Sequence, residues 1–244
     1  MSRFYYDLHL HSCLSPCGDE DNTPNNILGM AKLCELNLIA LTDHNSTKNC
    51  PAFFEAARQY GIIPIAGMEL TTSEDIHVVC LFEHLDDAMR FGEYVDGLRT
   101  LIKNRPSIFG EQLILDSEDK VIGAEEYLLT NATSLSVEDV PEAVGRFGGV
   151  CYPAHIDRSA NGIIAVLGTL PPTPKFTAVE FHSKDKIPEY REKYGLEGKT
   201  VIVSSDAHYL TDMKDGENYF DLNAPEDDAD AVRHELFCLL RREK

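Results

Sequence analysis

The residues best able to do chemistry in this chain are histidines and acids at the ends of apolar runs. His9 and His11 close YYDLHLH, Asp43 and His44 follow LIAL, and Glu69 follows IIPIAGM. His155 ends VCYPAH, His182 ends AVEFH, and Asp206 and His208 follow VIVSS. Imidazole nitrogen and carboxylate oxygen together form a donor set that suits zinc, manganese and iron(II), and suits magnesium alone poorly. Alternate side chains of a strand share a face, so His9 and His11 can turn two nitrogens to one ion, where the alternative is a pair of core histidines. Asp206 and His208 repeat that spacing with a carboxylate that can bridge two cations or balance their charge, where the alternative is an Asx turn. Asp43 is placed to hold the His44 imidazole in the tautomer a metal requires. Glu69 is too costly to bury alone and must meet either a metal or an arginine.

These groups are far apart in sequence, so the elements that carry them must bring them together. Seven strands are predicted, at Tyr5–Leu10, Leu38–Leu41, Ile62–Gly67, His77–Leu81, Val150–Pro153, Ala178–Phe181 and Val201–Ser204. Helices alternate with them. One is opened by Thr23 as N-cap with Pro24 in its first position, and a second runs from Pro51 to a Gly61 cap. A third spans Asp86–Ile102 and a last covers Glu226–Arg241. Strand and helix in alternation predict a parallel β/α barrel, whose strand C-termini converge on one site. The expectation is one domain over residues 1–244. Within it residues 103–147 form an inserted segment: a hairpin turning at Ser117–Lys120, a helix after it, and a second helix opened by the capping pair Ser136 and Asp139.

Composition narrows the partners. The 22 basic residues against 41 acidic ones give a net charge of −19. Such a charge disfavours nonspecific binding to nucleic acid, which lysine and arginine drive, and the absence of tryptophan disfavours a stacking groove for long single strands. No long nucleic acid is therefore expected as a partner. The seven cysteines are odd in number and mostly sit in apolar segments, which points to free thiols. Cys13 and Cys17 form a C-x3-C pair near the histidines, without a second pair to complete a thiolate site. No apolar run approaches the roughly 18 residues of a membrane span, and the first residues lack a secretory core, so a cytoplasmic location is expected.

The series DLHLHS, TDHN, GMEL, DIHVV, PAHIDR and SSDAH, in that order, resembles the motifs of the PHP (polymerase and histidinol phosphatase) domain family. The resemblance extends over nearly the whole chain apart from residues 103–147. It implies a distorted seven-stranded (β/α)7 TIM-like barrel, with two or three divalent ions at the C-terminal ends of the strands. Carried over by position, it implies His9, His11, His44, Glu69, His77, His155, Asp206 and His208 as ligands. A further ligand is expected in the loop before Pro24, at Asp19, with Glu20 and Asp21 as alternatives. Only the resemblance brings His77 to the metals, because it stands at the start of its predicted strand. Arg158, after PAHID, falls where family members place a basic residue against substrate phosphate. A surface ion pair is its alternative.

The expected activity is metal-dependent hydrolysis of a phosphate ester by a metal-bridging hydroxide, with zinc, manganese or iron as cofactor. A small phosphomonoester such as a nucleotide or histidinol phosphate is the preferred substrate class. Asp206, His208 and His182 are the candidate catalytic residues; Arg158 and His182 are the candidates to touch substrate, with His182 a possible donor of the leaving-group proton. Two other readings stay open: an amidohydrolase on the same scaffold, and a non-catalytic accessory module of the kind attached to polymerases.

Overall fold

The computed structural model describes residues 1–243. Its strands are β1 (Ser2–Leu10), β2 (Leu38–Leu41), β3 (Ile63–Thr71), β4 (His77–Phe82), β5 (Leu113–Leu115), β6 (Val121–Ala124), β7 (Val150–Pro153), β8 (Ala178–Phe181), β9 (Thr200–Val203) and β10 (Tyr219–Leu222). The helices are α1 (Pro24–Leu33), α2 (Cys50–Tyr60), α3 (Leu85–Asp96), α4 (Pro106–Phe109), α5 (Val140–Arg146), α6 (Ile163–Leu167), α7 (Ile187–Tyr194) and α8 (Ala229–Arg241). All seven expected strands form. The capping signals also act as read: the Thr23 hydroxyl accepts from the Asn26 amide, and Gly61 closes α2 at φ 63°.

The fold is the expected mixed α/β type with TIM-like curvature, but the described strands make a curled half-barrel and not the exact parallel seven-stranded barrel. Six strands make one curled sheet in the order β10-β1-β2-β3-β4-β7, and β8 pairs with β9 in a separate parallel ribbon. The ribbon meets β1 through a single parallel bridge, Leu10 to Ala207, and through the Tyr6 hydroxyl, which accepts from the Val203 amide. The strand β4 is antiparallel to both of its neighbours, β3 and β7. Its start therefore lies beside the ends of β3 and β7. This accounts for His77, which a purely parallel sheet would have carried to the far end.

Apolar side chains fill both sides of the curl. One cluster occupies its inside, with Tyr6, Leu8, Ile65, Val79, Tyr152 and Ile202, and is closed at the base by Leu236 and Phe237 of α8. The other lies between the outer face and the helices, through Leu41, Phe53, Met68, Phe82 and Phe91. The phase of β1 changes between Asp7 and Leu10, where its register against β2 shifts. Leu8 belongs to the inner cluster and Leu10 to the outer, so the shift lets His9 and His11 follow Leu8 to the inside.

The segment after α3 departs from expectation in two places. The helix α3 stops at Asp96 instead of Ile102, and the nearly buried Arg99 turns back to pair with Asp96 while donating to the Tyr127 carbonyl. The β5–β6 hairpin forms as expected, but residues 125–131 are not helical. Gln112, fully buried, donates to the carbonyls of Glu125 and Tyr127 and accepts from the Leu129 amide, satisfying the backbone that a helix would otherwise have paired. The cysteines are all free, Cys13 buried and Cys17 exposed, and no metal-ligand group among the described residues includes a thiol. No described helix is long and apolar enough to cross a membrane.

Candidate metal centre

Each side chain of the site arrives from the end of a strand. His9 and His11 come from β1, His44 from the turn after β2, Glu69 from β3, and His77 from the start of β4. His155 follows β7, while Asp206 and His208 follow β9. Three residues at these turns, Asn45 (φ 46°), His155 (φ 26°) and Asp206 (φ 52°), take left-handed backbone angles uncommon for non-glycine residues. Strain of this kind persists where the surrounding structure fixes it.

Glu69 is the hub. Its Oε2 stands 3.3 Å from His9 Nε2, 3.2 Å from His11 Nε2 and 3.1 Å from His44 Nδ1. Its Oε1 stands 2.8 Å from His77 Nδ1 and 3.1 Å from His155 Nε2. Asp206 Oδ1 lies 3.3 Å from His9 Nε2 and 3.2 Å from His11 Nε2. Among the described residues, three sets of donor atoms are compact enough to share an ion: His9, His11, Glu69 and Asp206; His44, Glu69 and His77; and His11, His44 and His208. Glu69 Oε2 and His44 Nδ1 are both buried without a hydrogen bond although they face each other. Buried atoms with lone pairs facing one another need something between them, and a cation fits.

The polar shell around these groups fixes tautomers. The Ser15 hydroxyl donates to Asp43 Oδ1 (2.7 Å) and accepts from His11 Nδ1 (2.9 Å), leaving His11 Nε2 free to face the carboxylates. Asp43 thus acts through Ser15 on His11, and not on its neighbour His44 as expected. Its other oxygen accepts from the Ser12 hydroxyl. His9 Nδ1 donates to Glu180 Oε1 at 2.8 Å, and the same oxygen accepts from the His155 amide at 3.1 Å. Glu180 was missed in the sequence, although an acid inside the apolar strand AVEF carries the same signal of costly burial as Glu69. Glu180→Gln is expected to weaken metal binding about 10- to 100-fold, as loss of a partner behind a ligand imidazole does elsewhere, without unfolding the chain. Metal competition by a fluorescent chelator checks it; unchanged affinity would remove Glu180 from the site.

The buried charges of the centre act strongly on one another. Burial would raise the Glu69 carboxyl, but the imidazoles of His77, His9 and His44 outweigh it and hold the group well below the usual range. Burial would lower His9, but Glu180, Glu69 and Asp206 hold it well above the ordinary histidine value. His11 rises to about 9 against its own burial, through Asp206 and Glu69. His208 is lowered to about 4 by burial and by His11.

Other expected site residues stand differently. Arg158 reaches the centre: its guanidinium pairs with Asp206 and is 39 % exposed at the rim of a cavity of about 130 Å3 bounded also by His44, His77 and His208. His182 is in none of the three donor sets. Its Nδ1 lies 3.5 Å from Arg158 Nη2, and burial, Lys214 and Arg158 lower its pKa. Asp19 is outside the three donor sets, its carboxylate accepting from the Asp21 amide, and Glu20 and Asp21 are exposed.

The sequence profile of the PHP domain matches residues 7–137. The PolC-type DNA polymerase III of Thermotoga maritima is 35 % identical over 89 residues, which are 36 % of this chain and 6 % of the polymerase. Among solved structures, the lesion-specific endonuclease Q of Pyrococcus furiosus matches the whole chain over 57 % of its own length, with a TM-score of 0.68 and 17 % identity. A candidate metal-dependent phosphoesterase from Bifidobacterium adolescentis matches 95 % of each chain, with a TM-score of 0.58 and 18 % identity. The chain thus spans a small part of the polymerase and somewhat over half of the endonuclease. Endonuclease Q has also been solved with a 27-mer duplex carrying an abasic lesion at its active site, again over all of this chain. This finding overturns the exclusion of long nucleic acid. Net charge summed over a whole surface says little about a site whose cations set the local field.

Proposed function

Because the chain belongs to the PHP domain family, we propose that it hydrolyses a phosphate ester at the Glu69–Asp206 centre. The observation that carries this reading is one buried carboxylate, Glu69, facing five imidazoles, with a guanidinium at the mouth of the same cavity. His9, His11, Glu69 and Asp206 would hold one divalent ion; His44, His77, His155 and His208 would complete the places for one or two more. Zinc, manganese and iron(II) suit these donors. When bound, such ions would supply a water acidified to act near neutral pH and would neutralise charge on the phosphoryl oxygens.

The chain's own residues do the rest. The Arg158 fork can take two phosphate oxygens by parallel N–H···O bonds and so orient the ester toward the centre. His182, neutral near pH 7, is better suited to steady that guanidinium than to protonate a leaving group. Glu180 and the Ser15–Asp43 pair hold the imidazoles of His9 and His11 with their free nitrogens inward. The cavity admits a phosphoryl group and leaves the remainder of the substrate outside, which suits an accessible ester of a nucleotide or of a nucleic-acid strand.

Phosphate release from a panel of mononucleotides, oligonucleotides and abasic duplexes, each with Mn2+, Zn2+ or Fe2+, tests this. Wild-type protein should release phosphate or cleave strands, and folded Asp206→Asn should lose at least about a thousandfold in rate, some 4 kcal/mol of barrier. Metal-loaded protein that is inert on all of these and hydrolyses an amide instead would replace the phosphoesterase reading with the amidohydrolase one.

A further inference from the structure

On the His208 side of the metal centre lies a second, open cavity of about 590 Å3. It is lined by the loop from Pro16 to Asp21, by Tyr209, and by Ile108 and Phe109 of α4. It adjoins the centre through the backbone. Tyr209 directly follows His208, the Asp19 amide donates to the His208 carbonyl (2.9 Å), and the Asn22 side chain donates to the carbonyls of both His11 and His208. Tyr209 is 52 % exposed, Ile108 60 % and Phe109 38 %.

Tyr209 and Phe109 offer aromatic surface on a lining that is otherwise largely polar, and apolar surface rimmed by polar groups is where ligands dock. The carboxylates of Glu20 and Asp21 at the cavity edge would repel a phosphate, yet they accept readily from N–H donors. An aromatic ring with amino groups on its edge satisfies both demands. We infer that this cavity holds the base of the substrate, stacked on Tyr209 and Phe109, with its exocyclic amino group turned to Glu20 or Asp21. Adenine and cytosine carry such a group and uracil does not; carboxylate acceptance from the cytosine amino group is an established pairing. A free nucleotide and an unpaired base of a strand present the same ring, whereas a base inside a duplex has its faces stacked and its edge engaged. The inference rests on the phosphoesterase reading for what is hydrolysed, but the base site can be tested by binding alone.

The chain has no tryptophan, so Phe109→Trp provides a single reporter while keeping an aromatic wall. Metal-loaded Phe109→Trp is titrated with AMP, CMP, UMP and ribose 5-phosphate. AMP and CMP should quench the tryptophan saturably and bind at least about tenfold tighter than ribose 5-phosphate, with UMP weaker than either. Adding Tyr209→Ala should weaken AMP binding about 10- to 100-fold and leave ribose 5-phosphate unchanged, and the same split should appear in KM when Tyr209→Ala is the only change. Tighter quenching by a short single-stranded oligonucleotide than by AMP would identify the base as one from a strand; the reverse order would identify a free nucleotide. Equal affinity for AMP and ribose 5-phosphate, or a Tyr209→Ala effect common to both, overturns the base site. Base-dependent quenching without hydrolysis of any phosphate ester would instead leave the base site standing and remove the reaction.

Discussion

Glu69→Gln is expected to lower the rate of phosphate-ester hydrolysis by about a thousandfold or more and to reduce the metal bound per chain, with the fold retained. Both Glu69 oxygens are used: one faces His9, His11 and His44, the other His77 and His155. The amide keeps the shape but removes the charge and turns a donor toward nitrogens that must present lone pairs. The loss of a thousandfold corresponds to about 4 kcal/mol of transition-state stabilisation. Initial rates at saturating Mn2+, together with elemental analysis of the purified variant, check this. Activity within tenfold of wild type would mean that Glu69 is a core acid neutralised by its histidines and nothing more.

Stripping the metal is the second large perturbation. Chelation is expected to abolish hydrolysis, and the stripped protein should respond to pH in a way the loaded protein does not. His11 has its pKa raised to about 9 in the metal-free fold, above the ordinary histidine value of the unfolded chain. Its stabilising effect is therefore complete below about pH 6.5 and is lost as pH rises through 9. The shift corresponds to about 3 kcal/mol, and His9, also raised, acts in the same direction. Tm of chelator-treated protein should fall between pH 6.5 and 9. Loaded protein should hold its Tm or gain over the same window, because metal binding expels protons and strengthens as pH rises. A flat Tm for the stripped protein would show that His11 is neutral in the fold and that its carboxylate partners carry the charge balance differently.

Much of this candidate site was legible in the sequence because its donor groups lie at strand ends, where apolar runs stop and histidines begin. His9, His11, His44, His155, Asp206 and His208 could be located by that boundary alone. Strand direction could not. His77 opens its strand, and only the antiparallel pairing of β4 with β3 and β7 brings it to Glu69. Hydrogen-bond partners were equally hidden. Asp43 was read against its neighbour His44, but its contacts go to Ser12 and Ser15, some thirty residues earlier in the chain. Glu180 lies inside the apolar strand AVEF and outside the motif series, so only its contacts with His9 and His155 mark it. The helix expected after the β5–β6 hairpin failed because local propensity says nothing about Gln112, which satisfies that stretch of backbone from elsewhere. Whole-chain charge misled on nucleic acid as a partner, since it averages over a whole surface and says nothing of the field at one cavity.

The reversal of β4 also bears on the order in which the centre assembles. Glu69 and His77 stand eight positions apart on a hairpin, and His44 joins them by a bridge to the same strand, so this half closes short loops. The other half waits for Asp206 and the Leu10–Ala207 bridge, which join the two ends of the chain. Short closures cost less entropy and form sooner, so pulsed hydrogen exchange during refolding should protect the amides of β2, β3 and β4 before those along the seam of β1 and β9. An ion captured by the early half would then be a template on which the late half closes.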